Sequence, residues 1–163
     1  AQMDRFMFKV NVPNPSIDEL VQIVDMTQKT MAEVAECACT KEELMQMRET
    51  ANQIPVANEV LRYTMILISA THPDGECASE TAKKYVRMGA SPRAGQALIS
   101  AAKVMALIKG RLNVAYADIN ELALPVLRHR IKLNFEAIAE RISPDEIIRR
   151  IVQEVSSKYQ GKN

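Results

Sequence analysis

Residues 91–110 read SPRAGQALISAAKVMALIKG, and the fold follows from this run. Ser91 is suited to accept a hydrogen bond from an unpaired N–H of a first helical turn. Pro92 suits the next position, where a missing N–H costs nothing. Behind them Ala94, Leu98, Ala101, Met105 and Ile108 recur at steps of three and four, which is one apolar face of a helix. Gly110 stops it. The small residues Ala97, Ala101 and Ala102 leave room for a second helix to approach closely, so the run predicts a helix packed inside a bundle.

Working outward, the same grammar repeats. Ser16-Ile17-Asp18-Glu19, Thr40-Lys41-Glu42-Glu43 and Ser143-Pro144-Asp145-Glu146 each open a helix with acids in the first turn, and Thr40 with Glu43 has capping-box spacing. The first helix carries Leu20, Ile23, Val24, Thr27 and Met31 at helical steps, and the second runs from Thr40 to about Asn52. A third, from about Pro55 to Ala70, is apolar on more than one face and reads as the central buried one. His72-Pro73-Asp74-Gly75 is a turn, followed by a short helix from Thr81 to Arg87 that stops at Gly89. Further helices span about Tyr116 to Arg130 and start again at Ser143, the last presenting Ile147, Ile148, Ile151, Val152 and Val155. In front of all this, Phe6, Phe8, Val10 and Val12 alternate with Met7, Lys9 and Asn11, which predicts a strand over 6–12. Pro13 and Pro15 break it, and a lone strand needs a ladder partner, so it reads as the end of a sheet. The expected architecture is all-α, six or seven helices preceded by one short residual strand.

Composition narrows the function classes. Of 163 residues, 21 are Lys or Arg and 20 Asp or Glu, a near-cancellation that excludes a nucleic-acid-coating protein. Hydrophobic residues at 47% support a core, while five glycines, no Trp and 4% aromatics argue against a sandwich or barrel. No apolar run reaches membrane-spanning length and no signal-peptide pattern appears, so no membrane partner and a cytoplasmic location are expected. Cys37, Cys39 and Cys77 are odd in number and lack a second metal-spaced pair. His72 precedes Cys77 by five residues and His129 lies far off, so free thiols are expected rather than a metal site. With no Gly-rich phosphate loop, no nucleophile triad and no carboxylate cluster, the chain alone does not read as an enzyme.

One residue breaks the grammar. Of the four clear helix starts, the one at Ser91 alone places a cation, Arg93, in its first turn with no acid there to offset it. The helix N-terminus carries about half a positive charge, and a cation there costs about 0.3–1 kcal/mol. A local salt bridge is the plain explanation. The sharper one is that Arg93 meets an anion which the rest of this chain does not supply, and phosphate suits a guanidinium's planar fork of donors.

Three stretches together resemble one family. AQMDRF at 1–6, YVRMGASPRAGQALISAAKVMALIKGR at 85–111, and PVLRHRI at 125–131 followed by SPDEIIRRIV at 143–152 are similar to the MoxR family of AAA+ ATPases. The resemblance implies a ring-forming ATPase, usually a hexamer, with an α/β core followed by a helical lid. Residues 1–15 would then be the remnant of that core, its last strand and linker, and residues 16–163 the lid. By the same match Arg5 would be the arginine finger directed at a neighbour's γ-phosphate, and Arg93 the sensor-2 arginine on the nucleotide phosphates. ATP and Mg²⁺ are implied for the parent protein. The family's Walker A, Walker B and sensor-1 residues would lie before Ala1, so the chain by itself is expected to hold and hydrolyse no ATP. Implied partners are the ATPase core of the parent chain, further copies in the ring, and a von Willebrand A-domain protein. The implied task is chaperone-like maturation of partner complexes. A magnesium-chelatase-like lid and a free-standing helical interaction module are the alternatives. Arg128-His129-Arg130 belongs to the resemblance without an assigned role: capping of its helix end and contact with the core or a neighbouring subunit both stand open.

Overall fold

The computed structural model describes residues 2–28 and 35–160. Contacts divide the chain into two compact units, Ala1–Lys9 with Glu49–Asn163, and Val10–Arg48. The smaller unit holds α1 (Ile17–Gln28) and the first two turns of α2 (Lys41–Gln53). Both helices open as predicted. Ser16 N–H donates to Glu19 Oε2 at 2.7 Å while Glu19 N–H returns to Ser16 Oγ, and Thr40 and Glu43 repeat the exchange. No residue of α1 is buried, although Leu20, Val21, Ile23 and Val24 give it an apolar face. Met31, expected on that face, lies outside the described residues.

The larger unit starts with a single 3₁₀ turn, Met3–Arg5. It continues through α3 (Asn58–Ala70), α4 (Glu80–Tyr85), β1 (Val86–Met88), α5 (Pro92–Ile108), α6 (Tyr116–Leu127), β2 (Lys132–Leu133), α7 (Phe135–Ala139) and α8 (Pro144–Gln160). The fold is therefore an all-α bundle, with eight α-helices among the described residues. The one beyond the expected range is α7, whose five residues are too few to show a helical period. A second difference is the strand. Residues 6–12 join no ladder; the two strands that do pair are β1 and β2, antiparallel, with Val86 opposite Leu133 and Met88 opposite Lys132. The N-terminal segment satisfies its backbone differently, through side chains, as described below.

The core is built on α5, whose Ala94, Leu98, Ala102 and Ala106 are fully buried and let α3 and α6 pack closely. On the far side of the core, α8 contributes Ile147, Ile148 and Ile151. The third helix, expected to be the central one, buries Val60, Tyr63, Leu67 and Ile68 and packs on α5, α6 and α8, while leaving Leu61 and Met65 more than 40% exposed. At its C-terminus α5 ends as the sequence implies. Gly110 adopts φ +69°, its N–H reaches Leu107 O, and Arg111 N–H reaches Ala106 O at 2.8 Å, a Schellman stop.

Candidate functional site

The GASPR segment is held rigidly by its own neighbours. Ala90 is fully buried; its N–H donates to Thr71 Oγ1 at 2.9 Å and its carbonyl lies 2.8 Å from His72 Nε2. For His72 to reach that carbonyl, its ring must lie against residue 89, where an added Cβ would stand 2.7 Å from two ring carbons. Gly89 is thus a close-approach glycine, while the helix before it already ended at Tyr85. Ser91 caps α5 as predicted, accepting from Arg93 N–H at 3.3 Å.

The missing first-turn acid arrives from 87 residues away. Ser91 Oγ–H donates to Asp4 Oδ2 at 2.8 Å, so a carboxylate sits behind the cap and complements the helix dipole. The expectation that the chain supplies no anion at this helix end is corrected in that respect. Burial would raise the Asp4 pKa, but the hydrogen bonds from Ser91 and Arg130, with the charges of Arg130 and Arg93, hold it below its ordinary value.

Arg128-His129-Arg130 explains how Asp4 gets there. The Arg130 side chain is 2% exposed. Its Nε donates to Asp4 Oδ1 (3.1 Å), Nη1 to Met7 O (3.1 Å) and Val126 O (2.5 Å), and Nη2 to Asp4 O (3.0 Å) and Phe6 O (2.7 Å). All five N–H donors of the buried guanidinium are used. Arg128 forks onto the Asp145 carboxylate at 3.0 and 2.8 Å and gives its remaining bond to Lys9 O. His129 Nε2 lies 3.0 Å from Phe6 O, and Lys9 N–H donates to Pro125 O at 2.9 Å. Of the two open readings, helix capping holds for Arg130 at Val126 O, and the same side chain also grips the N-terminal segment.

This docking brings Arg5 to Arg93. Both line one open concavity of about 670 Å³, with Asp4, Met7, Gln96, Ala97, Ser100 and Arg130. Both arginines are exposed, and among the described residues neither side chain donates a hydrogen bond or enters an ion pair. Two uncommitted guanidiniums beside a helix N-terminus suit an oxyanion such as phosphate. They do not suit a metal ion: Asp4, the acid of this concavity, is committed to Ser91 and Arg130, and no group of three His, Cys, Asp or Glu among the described residues is placed to hold one. Cys37, Cys39 and Cys77 are free thiols outside the concavity.

Comparison with known proteins places this geometry. Residues 78–151 match the AAA lid domain family. Over 156 residues, 96% of this chain and 41% of the relative, the chain is 35% identical to Chaperone MoxR1 of Mycobacterium tuberculosis. It is 30% identical over 163 residues to the uncharacterized protein YeaC of Bacillus subtilis, covering 98% of this chain and 48% of that one. The chain is the lid portion of a MoxR-family AAA+ protein. A crystal structure of a "putative ATPase" from Cytophaga hutchinsonii superposes with a TM-score of 0.81 at 30% identity, covering 94% of this chain and 47% of that one. The chain spans a little under half the length of these proteins.

Within the MoxR-type lid, Arg93 stands on the first turn of α5 inside the matched region, and Arg5 precedes it. Asp4, Thr71, His72 and Arg130 were not foreseen as parts of the site. The only trace was the odd sign of Arg93, which pointed to an anion from outside the chain and not to an acid within it. No helix of the described residues is long and apolar enough to cross a membrane.

Proposed function

We propose that this chain closes over ATP held by the ATPase core of its parent protein and supplies positive charge to the phosphates. In this reading residues 1–15 end the core and residues 16–163 form the lid. Arg93 acts as the sensor-2 arginine and Arg5 as the arginine finger. One observation carries the proposal: two uncommitted arginines share a concavity, one brought there by docking of residues 4–9 and the other by the first turn of α5. An exposed, unpaired arginine contributes little to the fold, which leaves both guanidiniums available for an anion.

When bound, ATP supplies the phosphoryl group, and catalysis of its transfer is largely a matter of positioning and charge. Arg5 and Arg93 offer planar donor forks to oxygens that gain negative charge, in a place where they need not reorganise. Asp4 stabilises the N-terminus of α5 from behind, so that Arg93 does not have to be an acid. Because the donor set fits phosphate and not Mg²⁺, the metal, the base and the attacking water are left to the core. The chain alone is then inactive. An arginine finger addresses the nucleotide of a neighbouring subunit, so the role of Arg5 in this reading calls for a ring of subunits. Chaperone-like maturation of partner complexes, with a von Willebrand A-domain partner, is the task this reading assigns to the ring.

The test is ATP hydrolysis by the full-length protein with Mg²⁺. Arg93→Ala and Arg5→Ala are each expected to lower kcat by about 10²-fold or more, with thermal unfolding unchanged. Unchanged turnover in both would move the helical interaction module to the front.

A further inference from the structure

The geometry points to Arg130 as the positioning residue for Arg5: its buried guanidinium fixes the backbone on either side of Arg5 and so aims that side chain into the concavity it shares with Arg93. This rests on the ATPase reading above and deepens it.

A short 3₁₀ turn at a chain segment with no ladder partner has little of its own to hold it. Two peptide planes decide where the Arg5 side chain leaves the backbone. The plane before Arg5 ends in Asp4 O, which accepts from Arg130 Nη2 at 3.0 Å. The plane after it is tied by Phe6 N–H to Met3 O at 3.2 Å, and the next carbonyls, Phe6 O and Met7 O, return to Arg130. The fifth bond goes to Val126 O, which anchors the guanidinium to the C-terminal end of α6, where backbone carbonyls lack intrahelical partners. One side chain therefore links three carbonyls of the segment, those of Asp4, Phe6 and Met7, to a core helix, and Nε adds the Asp4 carboxylate that carries charge to Ser91 on α5. Arg128 and His129 reach the same segment by a single bond each and cannot replace it. Lysine cannot either, since three donors on one nitrogen do not span a fork of five. Arg130 also lines the concavity, but every donor is spent, so it acts through Arg5 and not on the anion.

The experiment compares Arg130→Lys and Arg130→Met, alone and with Arg5→Ala, in the full-length protein by steady-state ATP hydrolysis, and follows amide exchange at Lys9 in the same variants. Each single variant is expected to lower kcat about tenfold or more, as misplacement by an ångström does, with KM for ATP little changed and faster exchange at Lys9. In the Arg5→Ala background neither should lower kcat further, because the group they aim is gone. Losses that multiply with Arg5→Ala, or normal turnover in folded Arg130→Lys, would overturn the inference, since a merely structural role gives the first and no role the second. Should Arg130→Met not fold, Arg130→Lys decides, together with Asp4→Asn, which removes one limb of the grip and should show the same dependence on Arg5 at smaller amplitude. Silent Arg5→Ala and Arg93→Ala variants would instead overturn the ATPase reading, and the exchange data would then report the grip without a consequence for catalysis.

Discussion

Asp4 and His129 set how the N-terminal segment responds to pH. Asp4 is held below its ordinary value of 3.8, so the stability it contributes is present above that pH and lost as pH falls through its lower folded value. Burial lowers the His129 pKa from 6.5, against the hydrogen bond to Phe6 O and with the aid of the Arg130 charge, while the Nδ1 atom is buried without a partner. A half-buried neutral imidazole with its Nδ1 shielded must take up a proton on the acid side, so its contribution is also present above 6.5 and lost below. Both groups act in one direction. Amide protection at Lys9, corrected for intrinsic exchange, is expected to fall in a first step below about pH 6.5 and again in the acid range. A protection that rose on acidification would contradict this. His129→Gln should remove the first step and leave the second.

Among the elements, the α3–α4 connection and the two ends of α5 carry the most specific chemistry. An added methyl at residue 89 would meet the His72 ring and backbone N at 2.7–2.8 Å, and the ring is held by Ala90 O. Gly89→Ala is therefore expected to cost about 1–3 kcal/mol, read as a lower unfolding midpoint. Gly110→Ala has open space but a positive φ, and should cost about 1 kcal/mol. Ile147→Ala or Ile151→Ala, at positions 0–1% exposed, should cost about 2–5 kcal/mol. Helix starts at Ser16, Thr40, Ser91 and Ser143 were legible because a cap bonds to its own first turn, a local event written in four residues. Gly110 was legible for the same reason. Gly89 was not, because what it accommodates is a ring 17 residues earlier. The stretch 6–12 misled because alternation of apolar and polar residues reports a period and not the partner that satisfies the backbone.

At the scale of the molecule, Val104, Ile108 and Leu112 lie exposed around the end of α5, and Phe135 and Ile138 on α7, with Phe135 at 83%. Apolar surface of this kind seeks cover. The chain alone is expected to self-associate as concentration rises, measured by sedimentation velocity, and a monomer at every concentration would count against it. A bundle could be expected from the sequence, since spacing, caps and Gly stops specify each helix from within itself, and the odd charge of Arg93 drew attention to the candidate site. Three things were decided only by tertiary structure: that Asp4 supplies the acid missing from the first turn of α5, that Arg130 spends four of its five donors on a segment more than 120 residues away, and that Arg5 comes to lie beside Arg93. The reason is physical. Helix periods and caps depend on neighbours three or four positions apart, whereas a buried charge takes whatever acceptors folding brings within 3 Å or so, and sequence separation does not enter.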